Sequence, residues 1–250
     1  FFWAGGAVIL RSVAQPFYME RKPFAAAAIL LAAAIAVICL FSGLKSTQST
    51  FTFAQEKADA QKTIYLTFDD GPSDRVTPKI LDVLAEEDVK ATFFIIGIQA
   101  ETRKNILKRE ADEGHTVAIH SYTHRYNEIY RSAQSLLNDI DKCGKVIERC
   151  TGQRARIYRF PGGSFGLSEG LKSAVKARGL KYVDWNASMC DAENGMTEAD
   201  SLYAAAINTG ADRNRIVMLA HDSTNKCATP EATRMVIKYY KQRGYTFGVF

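Results

Sequence analysis

Hydrophobic and polar positions divide the chain into three stretches. Residues 24–44 carry no charge over twenty-one positions, about the length that crosses the hydrocarbon core of a bilayer. Residues 45–60, in which Lys45 is followed by a tract rich in Ser, Thr and Gln, read as a polar linker. From residue 61 onward, short apolar runs of strand character alternate with longer segments in which apolar residues recur every three or four positions. The strand-like runs are Ile64-Tyr65-Leu66-Thr67-Phe68, Thr116-Val117-Ala118-Ile119, Arg156-Ile157-Tyr158, Leu180-Lys181-Tyr182-Val183 and Ile216-Val217-Met218-Leu219-Ala220. Helical periodicity covers 77–87, 100–113, 132–150, 168–177, 198–208 and 230–243. Residues 245–250 read as one more strand, cut short at the chain end. Strand followed by helix, six or seven times over, predicts an α/β fold with a parallel sheet and crossover helices, and so many repeats in one domain suit closure into a barrel.

Each strand-like run stops at residues able to do chemistry. The first ends in Asp69-Asp70-Gly71-Pro72. Adjacent carboxylates at a strand end do little for stability, and Pro72 after Gly71 turns the chain, leaving both acids on the rim as candidates for a metal ligand and a general base. The second ends in His120-Ser121-Tyr122-Thr123-His124. If a helix begins there, imidazoles four residues apart share a face and reach one cation. Two imidazoles, one carboxylate (Asp70) and positions open to water make the pattern of a catalytic rather than a structural divalent site. His115, ahead of its strand, reads as a solvated loop residue. Arg159, Asp184, Trp185, His221 and Asp222 follow the later runs. Chemistry in parallel β/α barrels collects where strands end, so these residues form one predicted rim.

In order, Thr67-Phe68-Asp69-Asp70-Gly71-Pro72, His120-Ser121-Tyr122-Thr123-His124, Arg159-Phe160-Pro161-Gly162, Asp184-Trp185 and Leu219-Ala220-His221-Asp222 resemble the five motifs of the polysaccharide deacetylase family, also called the NodB-homology or carbohydrate esterase family 4 domain. The resemblance covers about residues 60 to 250, and the Arg-Phe-Pro-Gly-Gly-Ser and His-Ser-Tyr-Thr-His segments are similar to cell-wall deacetylases of Gram-positive bacteria. It implies a distorted (β/α) barrel of seven to eight parallel strands that hydrolyses N-acetyl or O-acetyl groups on polysaccharides. Asp70, His120 and His124 are then the ligands of a divalent ion, Zn²⁺ foremost, with Co²⁺ or another divalent ion as alternatives. Asp69 is the general base, oriented by Arg159 through a charge-assisted hydrogen bond, and His221 protonates the leaving amine. Asp184 is expected to pair with His221 and raise its pKa. Pro161, Gly162, Trp185 and Leu219 line the substrate site, Gly162 through its N–H and Trp185 as an apolar wall for the acetyl methyl. Asp222 braces the rim loops. Gly162 stands where many members carry an aromatic residue, which implies a more open groove wall.

The implied activity is removal of N-acetyl groups from N-acetylglucosamine residues of a cell-wall polysaccharide, peptidoglycan foremost. An O-acetyl esterase acting on a xylan-type polymer, or a chitooligosaccharide deacetylase, would use the same residues. A non-catalytic carbohydrate-binding relative would be expected to lack Asp69 or His221, and both are present.

The first 60 residues suggest where this chemistry happens. Arg21 and Lys22 abut the uncharged stretch, so the positive-inside rule orients it as a single-pass membrane anchor with the catalytic domain outside. A cleaved signal peptide is the competing reading, with Thr52-Phe53-Ala54 as a mediocre cleavage site and Met19-Glu20-Arg21-Lys22 as its n-region, which would make residues 1–18 upstream sequence. The expected organisation is a 1–23 segment, an anchor or signal at 24–44, the linker and a catalytic domain at 61–250. Of the net charge of +5, residues 1–58 hold five basic and two acidic residues, which leaves +2 on the domain and argues against nucleic acid as a partner. A monomer that meets an acetylated glycan strand is expected. Cys39 lies in the apolar stretch, and Cys143 and Cys150 lie about 10 Å apart along one helix, too far to bridge. Cys190 and Cys227, both just beyond rim strands, are the candidate disulfide in an oxidising exterior.

Overall fold

The computed structural model describes residues 61–193 and 197–250. Strands β1 (Thr63–Asp69), β2 (Thr92–Ile96), β3 (Thr116–Ser121), β4 (Ile157–Tyr158), β5 (Lys181–Tyr182), β6 (Ala187–Ser188), β7 (Arg215–His221) and β8 (Thr246–Gly248) form one sheet. Between them lie helices α1 (Thr77–Glu86), α2 (Gly97–Thr102), α3 (Lys104–Asp112), α4 (Tyr126–Ile129), α5 (Ala133–Thr151), α6 (Glu169–Ala177), α7 (Ala199–Gly210) and α8 (Thr229–Gln242). Every strand pairing is parallel. β1 is the hub. It pairs with β7 along its whole length, from Thr63↔Arg215 to Asp69↔His221, while its other side is shared between β8 at residues 63–65 and β2 at residues 67–69.

The order across the sheet is β5-β4-β3-β2-β1-β7-β6. Its two edge strands are neighbours in sequence, separated only by residues 183–186. A flat sheet of this order would hold its edges about 29 Å apart, whereas four extended residues reach roughly 14 Å. The sheet therefore curls into a half-barrel whose edges approach each other. The 183–186 link bonds the strand beside each edge, Val183 N–H to Tyr158 C=O of β4 and Asn186 N–H to Val217 C=O of β7.

Alternation along each strand then assigns two faces. Ile64, Leu66 and Phe68 of β1, Phe93 and Ile95 of β2, Val117 and Ile119 of β3, and Ile216, Met218 and Ala220 of β7 pack outward with the helices. Phe94, Ala118, Val183 and Val217 fill the interior together with Tyr65, Ile157 and Trp185. Continuing the inward register by one or two steps reaches Thr67 and Asp69, His120, Arg159, and Leu219 and His221. The period of two thus delivers these side chains to the C-terminal end of the sheet.

Several sequence expectations change. The 100–113 helix is two helices broken at Arg103, whose φ of −126° leaves the helical region while its side chain bonds Asp74 and Gln99. β2 was not expected because its fully buried Thr-Phe-Phe-Ile-Ile run carries no polar residue at its end, and β6 is too short to leave a pattern. His115 is buried, not solvated. Its Nδ1 accepts from the Ala91 N–H at 3.2 Å and its ring lies edge-on to Phe93, with burial and nearby Lys90 pushing its pKa down to about 4. Cys190 and Cys227 are free thiols rather than a disulfide: each sulfur faces a carbonyl of its own turn, Ser188 and Thr224 respectively. Among the described residues no helix is long and apolar enough to cross a membrane, and the 24–44 stretch lies outside them.

α5 supports the rim from outside, and its start depends on one hydroxyl. Ser132 Oγ accepts from the Ser135 N–H at 3.0 Å, and Gly152 closes the other end at φ 71°. Ser132→Ala is expected to lower unfolding stability by about 1 kcal/mol, read from chemical denaturation of the purified protein.

Candidate active site

Asp70, His120 and His124 each offer one ligand atom, and these atoms lie within 4.8 Å of one another. β3 delivers His120 directly. Its Nδ1 donates to the Arg159 carbonyl at 2.9 Å, so its Nε2 carries the lone pair, and that nitrogen faces Asp70 Oδ1 at 3.5 Å. His124 Nε2 lies 3.3 Å from the same oxygen. Asp70 Oδ1 is buried with no hydrogen-bond partner among the described residues. Electron-rich atoms converging on a buried, unpartnered carboxylate oxygen repel unless a cation sits between them, so the residues present fit a divalent ion.

The expected helix through residues 120–124 does not form; the chain turns instead. The Asp139 carboxylate, reaching across from α5, accepts from Ser121 Oγ at 2.6 Å, the Tyr122 N–H at 2.8 Å, the Thr123 N–H at 3.1 Å and Thr123 Oγ1 at 3.2 Å. Ser121 Oγ in turn accepts from the His124 N–H at 2.8 Å. The turn leaves His124 at φ 59°, and Asp70 stands at φ 77°. Left-handed backbone at two non-glycine residues costs about 1 kcal/mol or more each and is held by the surrounding bonds. Asp139 gave no sequence signal, because an acid on the polar side of an amphipathic helix resembles any solvated one.

Behind the cluster, Arg159 is fully buried. Nη1 donates to Asp69 Oδ1 at 2.8 Å and Thr67 Oγ1 at 2.7 Å, Nε to the Val183 carbonyl at 3.0 Å and Nη2 to the Asp184 carbonyl at 3.4 Å. The guanidinium also lies over the Phe94 ring at 4.1 Å. Asp69 Oδ2 is left facing the cluster, 3.9 Å from His120 Nε2. Burial pushes the His120 pKa down against the nearby Asp69 and Asp70 charges, which keeps its ring neutral and able to ligate.

His221 stands beside Asp69 across the β1–β7 ladder. Its partner is not Asp184. His221 Nδ1 lies 2.7 Å from Asp191 Oδ1, while Asp191 Oδ2 accepts from the His221 N–H at 2.8 Å and Thr229 Oγ1 at 2.9 Å. Asp184 is engaged elsewhere, accepting from the Ser164 N–H at 2.9 Å and from Ser164 Oγ, so it pins the glycine-rich 162–166 loop instead. Sequence reasoning missed Asp191 because it follows the two-residue β6. Burial alone would favour neutral His221, but the Asp191 hydrogen bond and charge, with Asp69 and Asp70 adding, raise its pKa to about 9.

The remaining predicted residues border this centre. The Pro161 carbonyl accepts from Tyr130 Oη at 2.7 Å, Gly162 is exposed beside Tyr126, Trp185 packs half-buried on the interior cluster and Leu219 is buried on β7. Asp222 is fully buried. Its N–H donates to the Asp69 carbonyl, its Oδ2 accepts from Thr77 Oγ1 at 2.6 Å and its carbonyl accepts from Ser73 Oγ.

Two measurements follow from this geometry. Asp139→Asn turns an all-acceptor carboxylate into a group with two donors facing donors. Titration calorimetry of the metal-free protein with Zn²⁺ or Co²⁺ should show an affinity loss of roughly 10- to 100-fold. Asp191→Asn removes the charge that keeps His221 protonated. Because that pairing raises the folded pKa, its contribution to stability is complete below the unfolded value of about 6.5 and fades as pH rises through about 9. The alkaline limb of the kcat/KM profile should therefore move to lower pH in Asp191→Asn, by about 1 to 2 units.

Comparison with known proteins identifies the family. The family described as polysaccharide deacetylase matches residues 56–183. The chain is 33% identical over 194 residues to a peptidoglycan-N-acetylglucosamine deacetylase of Bacillus cereus, covering 76% of this chain and 70% of that one. Among solved structures, the catalytic domain of a peptidoglycan N-acetylglucosamine deacetylase from Eubacterium rectale superposes with a TM-score of 0.70 at 39% identity, covering 76% of this chain and 88% of that one. A Streptococcus mutans CE4 esterase gives 0.71 at 35% identity, with coverages of 79% and 90%. With its curled parallel sheet, its Asp-His-His cluster and these relatives taken together, the chain belongs to the polysaccharide deacetylase family.

Proposed function

We propose that this protein hydrolyses the N-acetyl group of N-acetylglucosamine residues in peptidoglycan. The observation that carries the reading is the pairing of two opposed proton-transfer groups, Asp69 and His221, beside the Asp70-His120-His124 cluster. The names of the Bacillus cereus and Eubacterium rectale relatives support the substrate.

A divalent cation held by Asp70, His120 and His124, for which Zn²⁺ is our choice, supplies polarisation of the acetyl carbonyl and a more acidic water. The chain's own residues do the rest. Asp69, its Oδ1 held by Arg159, takes the proton of the attacking water on Oδ2. The water oxygen adds to the acetyl carbon, and the Gly162 N–H is the assigned donor to the developing oxyanion. His221, with Nδ1–H given to Asp191, delivers a proton from Nε2 to the amine nitrogen as the C–N bond breaks, leaving acetate and a free amine. Trp185 and Leu219 form an apolar wall for the acetyl methyl, with Pro161 behind the loop.

The 24–44 stretch, with Arg21 and Lys22 before it, supports a membrane tether that holds the catalytic domain on the outer side, where peptidoglycan lies.

Release of acetate from peptidoglycan and from N-acetylglucosamine oligomers tests the reading, with loss of activity on chelation and recovery on adding Zn²⁺ or Co²⁺ expected. His221→Ala should slow amide hydrolysis by about 10²- to 10⁴-fold. It should slow an acetate ester less, because an alkoxide leaves more readily than an amine. Asp69→Asn should be comparably inactive while still binding metal. Efficient cleavage of acetylxylan with peptidoglycan untouched would replace the proposed substrate with an O-acetylated one.

A further inference from the structure

Two aromatic side chains near the reaction centre are exposed, although burying such a ring is worth about 1.5–3 kcal/mol. Tyr126 at the start of α4 is 48% exposed, and Phe165 in the 162–166 loop is 70% exposed. Tyr126 lies edge-on to the ligand His124, with ring centroids 5.3 Å apart at 89°. Phe165 lies edge-on to Trp185 at 6.4 Å.

Both rings stand over consecutive glycines. A Cβ on Gly162 would lie 3.0 Å from Tyr126 Cε1 and 3.2 Å from Tyr126 Oη. One on Gly163 would lie 3.0 Å from Trp185 Cη2 and 3.2 Å from Phe165 Cδ2. These glycines have φ of 76° and 85°, a conformation that side chains rarely adopt. The bare main chain is also anchored on either side, by Tyr130 Oη on the Pro161 carbonyl and by Asp184 on Ser164. The strip is therefore held in place, and the two rings, Tyr126 from α4 and Phe165 from the loop itself, stand over it with area left free. The groove beside Gly162 is walled by Tyr126, contrary to the open wall expected from the glycine alone.

We propose that Tyr126 and Phe165 form a stacking subsite for the pyranose rings that flank the reacting N-acetylated sugar. A β-linked, gluco-configured pyranose presents axial C–H groups on its faces and hydroxyls around its rim. Such a face matches a rigid aromatic surface, while the rim stays in water. The assignment rests on the reading of the substrate as an acetylated glycan, and it makes chain length a determinant of affinity.

The test uses the metal-loaded full chain. In a His221→Ala background, which slows turnover, N-acetylglucosamine tetramer is titrated while tryptophan fluorescence is followed, Trp185 being in contact with the subsite and Trp3 the other tryptophan. Adding Tyr126→Ala or Phe165→Ala should raise Kd roughly 3- to 10-fold each, and Tyr126→Phe should stay within about twofold, since the ring face remains. With His221 intact, KM for the tetramer should rise by a similar factor and kcat should change less. Alanine variants that keep the parental Kd and KM overturn the subsite, and so does an equal loss of kcat/KM on the tetramer and on 4-nitrophenyl acetate, which has no flanking sugar. A parent that binds the tetramer through these rings yet releases acetate from no glycan overturns the deacetylase reading and leaves the subsite standing.

Discussion

The buried Arg159 guanidinium is the interaction on which the rest of the structure depends. A charge with no exposure needs partners for its donors, and breaking such a pair by removing one member typically costs about 3–5 kcal/mol. Arg159 finds them on three parts of the barrel: Thr67 and Asp69 on β1, the Val183 and Asp184 carbonyls on the closing link, and the Phe94 ring of β2. Its own carbonyl takes the His120 Nδ1–H. One residue thus ties β1 to the link between the sheet's edges, orients the Asp69 carboxylate and selects the histidine tautomer that leaves Nε2 free. Structural and chemical demands fall on the same atoms, so neither can vary without the other.

The Asp70-His120-His124 cluster is held in place by bonds from residues outside it. His124 and Asp70 both occupy left-handed backbone, which neither residue adopts without support. For His124 the support comes from Asp139 through the amides of the turn and through Ser121. Because α5 is anchored outside the sheet against β3, the turn inherits the rigidity of the core rather than that of a loop. Preorganisation of this kind lets a buried carboxylate oxygen wait unpaired beside two imidazoles.

Within one site the two kinds of histidine are driven in opposite directions. His120 is dry and hydrogen-bonded to a carbonyl, so burial dominates and keeps it neutral. His221 is also largely buried, yet Asp191 reverses the outcome and keeps it protonated. One carboxylate thereby sets two copies of the same side chain to opposite protonation states within one site.

The sequence by itself determined the barrel class and most of the rim. Strand and helix periodicity is local, and polar residues at strand ends interrupt it visibly, so Asp69, Asp70, His120, His124, Arg159 and His221 stood out in order. Helix limits at 77–87, 132–150 and 168–177 came within one or two residues for the same reason. What escaped was decided by contacts between distant segments. Asp191 rather than Asp184 reaches His221 because the closing link turns Asp184 toward Ser164, and Asp139 matters only because α5 packs beside the 120–124 turn. His115 is buried because β2 and β3 run side by side, which no property of its own neighbours announces. The exposed Tyr126 wall over Gly162 likewise exists only once two loops meet. Periodicity records which face of an element is apolar, whereas the partner of a side chain depends on where the chain returns, and that is settled only when the sheet curls and distant segments meet.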